Sequence, residues 1–177
     1  MRANDQPQWV LGVHALSRLS GVVSALLIVV SLLVVCHMVF VRAVLGQSSI
    51  WQTEFVTFAL IAATFLGAPY ILLTRGHVNV DIVPLLISHP TRVRLAGLAQ
   101  LLSLLFCVLF LFGASHWWWG AWVSEETTPT IWQARLWIPY LSVPVGLGLL
   151  VLQQLADLYE LWTGQADPFG LKPGDHL

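Results

Sequence analysis

The chain has 177 residues, 57% of them hydrophobic and only 10% charged, with a formal net charge of −1 and a mean hydropathy of +0.77. Soluble domains carry roughly 25% charged residues, so the composition excludes a water-soluble globular domain. The chain belongs in a bilayer, and no nucleic acid is expected as a partner.

Four apolar runs follow in order, about 19–41, 51–73, 95–119 and 136–161. Each is long enough for the roughly 20 residues that cross about 30 Å of hydrocarbon. The predicted fold is therefore an all-α integral membrane protein, one four-helix domain over 1–163 with a cytoplasmic tail over 164–177. The first run is too long for a removable signal peptide and lacks a small-residue cleavage signature, so it reads as a retained signal anchor flanked by Arg2 and Arg18.

In the second run Ala59, Ala63 and Gly67 recur every four residues. They form a stripe that lets another helix approach closely in lipid, whether a helix of this chain or of a second protein. Glu54 lies three residues beyond Trp51, about 4.5 Å into the helix. A carboxylate inside a membrane helix invites a functional reading; here a salt bridge to Arg42 across the short hairpin is expected in preference to a proton relay.

The run exits through Arg75-Gly76-His77-Val78-Asn79-Val80-Asp81. Residues 78–90 are too apolar for a solvated linker and too few to cross, so they should lie in the interface. Asp81 is placed to cap a short helix from Ile82, with Pro84 in its first turn. Arg75, Arg92 and Arg94 should hold this segment at the phospholipid headgroups, as a lipid anchor or as a partner-docking surface.

Nothing breaks the third apolar pattern between Arg94 and Val123, about 45 Å of helix at 1.5 Å per residue. That helix should tilt or project outward, carrying His116 and a Trp cluster toward the turn-like Glu125-Glu126-Thr127-Thr128-Pro129. In the fourth run Pro139 suits the first turn, which leaves Pro144 as the expected kink.

Basic residues set the orientation. Arg2, Arg18, Arg75, Arg92, Arg94 and Lys172 fall on one side and only Arg42 and Arg135 on the other, so both termini should be cytoplasmic. Trp51, Trp117, Trp118, Trp119, Trp122, Trp132 and Trp137 all fall at outward ends and read as interfacial anchors. Cys36 and Cys107 read as small buried hydrophobes. No Ser-His-Asp set, HExxH or phosphate loop occurs, and His14, His89 and His176 read as flank and loop residues. His37 and His116, both toward outward helix ends, offer the alternative of a small membrane haem protein with bis-His ligation across a bundle.

The Glu-bearing second helix with Gly67, the Gly-His-x-x-Val-Asp exit, the Arg92 and Arg94 entry, and Ile138-Pro139-Tyr140 followed by Val143-Pro144-Val145-Gly146 resemble the small permease subunit of tripartite ATP-independent periplasmic (TRAP) transporters, the DctQ type. The resemblance spans roughly residues 16–162. It implies a bacterial or archaeal inner-membrane protein working with a large DctM-type permease subunit supplied in trans and a DctP-type periplasmic binding protein. It also implies uptake of an organic acid driven by a sodium gradient, with the substrate and sodium sites in the large elevator subunit. Carried onto this chain, the family motif gives Glu54, Gly67, His77, Asp81, Arg92 and Arg94 structural or interface roles, with no catalytic, cofactor, metal or substrate site in this subunit. The first two helices, through Ser17, Gly21 and Ser24 and the Ala59 to Gly67 stripe, are the candidates to face the partner.

Overall fold

The structure is a computed structural model that describes residues 7–46, 50–74 and 89–164. Helix α1 is Gln8–Leu45, 38 residues. It begins after Pro7, which is extended at φ −61 and ψ 142, and stops at Gly46, whose φ of 63 is left-handed. Proline at the start and glycine just past the end are the residues whose backbones suit those positions. The helix starts well before residue 19 because Gln8, His14, Ser17 and Arg18 continue it past the apolar run; helical geometry does not end where lipid ends. His14, expected in a flank, is thereby a helix residue.

Helix α2 is Trp51–Leu73, with Pro69 inside it. Helix α3 is His89–Val123, 35 residues, about 52 Å at 1.5 Å per residue. The connection that follows folds back on itself through Thr128 N–H to Ala134 O and Leu136 N–H to Glu126 O. Helix α4, Trp137–Tyr140, runs into α5, Ser142–Trp162, and the two together form one span. The joint falls at Leu141, three residues before Pro144, whose missing N–H leaves the Tyr140 carbonyl four residues earlier without its helical donor. Pro139 and Pro144 are each the third residue of their segment, where a missing N–H is tolerated. Leu141 keeps helical dihedrals of −57 and −30, so the backbone continues from one segment into the next.

Among the described residues the architecture is all-helical, with four spans long and apolar enough to cross a membrane. They do not close into a symmetric bundle. α1 and α2 form an antiparallel hairpin, α5 packs against α1, α2 and α3, and α3 packs on α5 and α4 without a substantial contact to α1. Along α3 the covered positions Leu104, Cys107, Leu111, Ala114, Trp118 and Ala121 alternate steps of three and four. Val143, Leu147, Leu150, Gln154 and Asp157 do the same on α5, which is the spacing of a left-handed helix seam. The densest apolar knot is Ala114, Val143 and Leu147, capped by Phe65, Leu111 and Leu150.

Candidate functional site

The polar chemistry of this chain lies in the seams between helices. In lipid, association depends on close packing and interhelical hydrogen bonds, because lipid tails are as apolar as leucine. Ser24 Oγ on α1 donates to the Ala63 carbonyl of α2 at 2.6 Å. The hydroxyl reaches that carbonyl because Gly67 leaves the space: a Cβ there would lie 2.8 Å from Ser24 Oγ. Ala59 and Ala63 are buried at 6% and 3% exposure, so the four-residue stripe packs within this chain. One turn inward, Gly21 accommodates the ring of Tyr70 so closely that any side chain would collide with it. Ser17, Gly21 and Ser24 therefore do not form a face turned to a partner; they are covered by α2 and α5.

At its closest point the α2–α5 contact is made by backbone. Pro69 has no N–H, so the Phe65 carbonyl four residues earlier loses its helical donor. Gly146 of α5 lies against that freed carbonyl, and a Cβ at Gly146 would stand 2.5 Å from both Phe65 C and O. A helix-breaking residue on one helix and a residue without a side chain on the other thus meet at one point.

Toward the end that holds the start of α1, Ser17 Oγ donates to Gln153 Oε1 at 2.8 Å, and Gln153 Nε2 donates to Asp157 Oδ1 at 2.8 Å. His14 Nε2 lies 3.7 Å from Glu160 Oε1, and Trp9 meets Tyr159 edge to face at 5.3 Å. His14, Asp157 and Glu160 bring ligand-type atoms within 4.8 Å of one another. Gln153 already donates into that set, and its evident work is to join α1 to α5. On the other side of α5, Gln154 Nε2 donates to Ser103 Oγ at 2.9 Å and approaches Cys107 Sγ at 3.5 Å. Sequence reasoning passed over Gln153, Gln154 and Asp157, although amide and acid groups within an apolar helix signal buried pairing.

At the opposite end, Gln52 is 1% exposed and its Nε2 lies 2.7 Å from His37 Nδ1. Thr53 Oγ1 meets Met38 Sδ at 3.6 Å, and this register overturns the expected Arg42–Glu54 salt bridge. With residue 38 opposite 53, Arg42 stands a full turn farther out, on an exposed part of the last turn of α1, and makes no pair with Glu54. Glu54 itself is half-buried, and its Oε2 is shut in without a hydrogen-bond partner.

Of the tryptophans expected at outward ends, Trp51, Trp117, Trp119, Trp122 and Trp132 are exposed. Three of the set join helices. Trp117 stacks on Tyr140 at 3.9 Å, Trp122 meets Trp137 edge to face at 4.4 Å, and Trp118 Nε1 donates to the Trp137 carbonyl at 3.0 Å. They clamp the end of α3 to α4. Beside them an open groove of about 460 Å³ is lined by Phe112, Ser115, His116 and Trp119 from α3 and by Pro144 and Val145 from α5.

The haem alternative is not supported by this geometry. His37 and His116 lie on α1 and α3, which share no substantial contact, and His37 Nδ1 is engaged by Gln52. Cys107 is buried as expected, but Cys36 is exposed, because it lies off the seam of α1. Arg75, His77, Asp81 and most of segment 78–90 lie outside the described residues. His89 and Arg92 are in the first turn of α3 and Arg94 is exposed in its second.

The chain was compared with known proteins. The family model described as "Tripartite ATP-independent periplasmic transporters, DctQ component" matches residues 31–164, more than half of the chain. No curated protein and no solved structure matches.

Proposed function

The chain belongs to the DctQ-component family of tripartite ATP-independent periplasmic transporters, and from that membership we propose that it is a static brace for a separate large permease subunit. The family is a transporter component, not an enzyme family, and its members work with a DctM-type large permease and a DctP-type binding protein. In this reading the partner is supplied in trans, a periplasmic protein delivers an organic acid, and a sodium gradient drives uptake through the large subunit. The chain sits in a bacterial inner membrane with both termini cytoplasmic, and Arg75, Arg92 and Arg94 hold segment 78–90 at the headgroups.

One observation carries the bracing role: the buried Ser17, Ser24, Gln153 and Gln154 side chains are committed to neighbouring helices. A subunit whose interior polar groups tie helix to helix is suited to holding its shape while another subunit moves. The excess of basic residues at the ends assigned to the cytoplasm supports the orientation.

The test is an affinity pull-down of tagged chain from native membranes in mild detergent, with mass spectrometry of what stays bound. Recovery of one large multi-spanning permease in roughly equal amount is the expected result. Recovery of the chain alone from membranes that contain the permease would reject the brace.

A further inference from the structure

Glu54 is the acid in the first turn of α2, about 4.5 Å along the axis from the Trp51 anchor. Its Oε2 is shut off from solvent yet accepts no hydrogen bond, while the residue as a whole is half-buried and reaches the surface. A carboxylate kept from water without a donor is costly, and more so at the edge of hydrocarbon. The chain's own outward cations do not relieve it. Arg42 is exposed at the end of α1, where its charge suits the helix C-terminus. Arg135 is exposed in the 124–136 connection, its backbone bridged to Thr127, and it makes no pair with Glu54.

Beside Glu54 one face of α2 is uncovered in this chain. Thr53, Thr57 and Thr64 are exposed along one stripe of α2. Thr57 and Thr64 hydroxyls donate to the carbonyls of Thr53 and Leu60 in their own helix, at 2.9 and 2.8 Å. Those bonds satisfy the hydroxyls without any neighbour, and the face they share with the exposed Leu60 and Ile71 is open to a second helix. The stripe alone does not name an occupant; the unmatched acid beside it, about 60–100° around the helix at the outward end, does.

We propose that Glu54 is completed by a Lys or Arg side chain of the large permease subunit, whose helix lies on the threonine face of α2. The inference rests on the bracing role above and adds to it the docking face and the chemistry of its anchor. The carboxyl torsion of Glu is broad, so a small rotation carries the hidden oxygen to an arriving guanidinium or ammonium. A charge-assisted bond forms there, of the kind that is short and strong. Free chain and complex then differ in one respect: the acid is unmatched before assembly and matched after it.

The experiment co-expresses tagged chain with the large subunit of its own host and measures the permease retained through detergent washing. Wild-type chain must retain it, and failure at that step rejects the bracing role rather than this proposal. Glu54→Gln should lower the retained permease by about tenfold or more, the scale of losing one hydrogen bond to a charged group. Glu54→Lys should abolish retention, and one Lys or Arg of the large subunit changed to Glu should restore it. Monodisperse behaviour of each variant chain alone in detergent is required, so that loss of assembly is not loss of fold. Retention of the permease by Glu54→Gln at the wild-type level overturns the proposal. So does a Glu54→Lys defect that no acidic replacement in the partner rescues, or a Glu54→Gln effect confined to the phospholipid that co-purifies.

Discussion

Gly146 and Gly148 stand two residues apart on α5, and only the first is pressed against another helix. A Cβ at Gly146 meets the backbone of Phe65 at 2.5 Å, whereas a Cβ at Gly148 meets nothing within 4 Å. Backbone cannot move aside as a side chain can, so Gly146→Ala should destabilise the fold by about 1–3 kcal/mol, the usual cost of overpacking. Gly148→Ala should stay within about 1 kcal/mol of wild type, on the stabilising side that helix propensity favours. Thermal unfolding in detergent separates the two: a clear downward shift for the first and none for the second. In the same assay Gly67→Leu should resemble Gly146→Ala, because the larger side chain displaces Ser24 from the Ala63 carbonyl. The spacing of Ala59, Ala63 and Gly67 made this seam legible, since small residues every four positions have few other uses in a membrane helix. The Glu54–Arg42 expectation failed for an equally physical reason. Pairing across a hairpin depends on register, and register is set by packing farther along, at Met38 against Thr53.

Among the elements, α1 hid the clearest signal. Ser17, Ser24 and Ser31 are buried at 1%, 7% and 3% exposure and are spaced by seven, so small polar residues mark the seam instead of large apolar ones. A search for apolar periodicity does not find it, because almost every residue between them is apolar as well. The α3 seam was illegible for the same reason; its exposed face is as hydrophobic as its covered one, which is what lipid requires. That α3 docks on α5 can be checked with a native thiol. Gln154 Nε2 lies 3.5 Å from Cys107 Sγ, so a short bifunctional thiol reagent should join Gln154→Cys to Cys107 in an intrachain cross-link, seen as fragments held together after cleavage between the two helices. Ser24→Cys on α1, which does not pack on α3, should give none with Cys107. The joint at Leu141 likewise follows from one residue: Pro144 has no N–H to give the Tyr140 carbonyl, so the hydrogen-bond ladder is interrupted just before it.

For the whole molecule, helix number and class followed from hydropathy, since four apolar runs in a chain of 177 residues leave little else to build. Which helix touches which did not follow, because sequence order says nothing of the side on which the third span returns. Orientation is a prediction with a simple check: a reporter at the C-terminus should be active only if cytoplasmic, and a small tag in the 124–136 connection should be reached only by impermeant reagents added from outside. Labelling in the opposite sense would reverse the assignment drawn from Arg2, Arg18, Arg75, Arg92, Arg94 and Lys172. The shared dependence on α5, which packs on α1, α2 and α3, also bears on how the protein is made. A ribosome releases the spans in chain order, so the α1–α2 hairpin can close early, while α3 enters the membrane with its seam uncovered and waits for the final span. During that interval the nascent chain offers Ser103 and Cys107 to whatever insertase or chaperone lies beside it, and a stop codon before residue 137 would strand α3 for good.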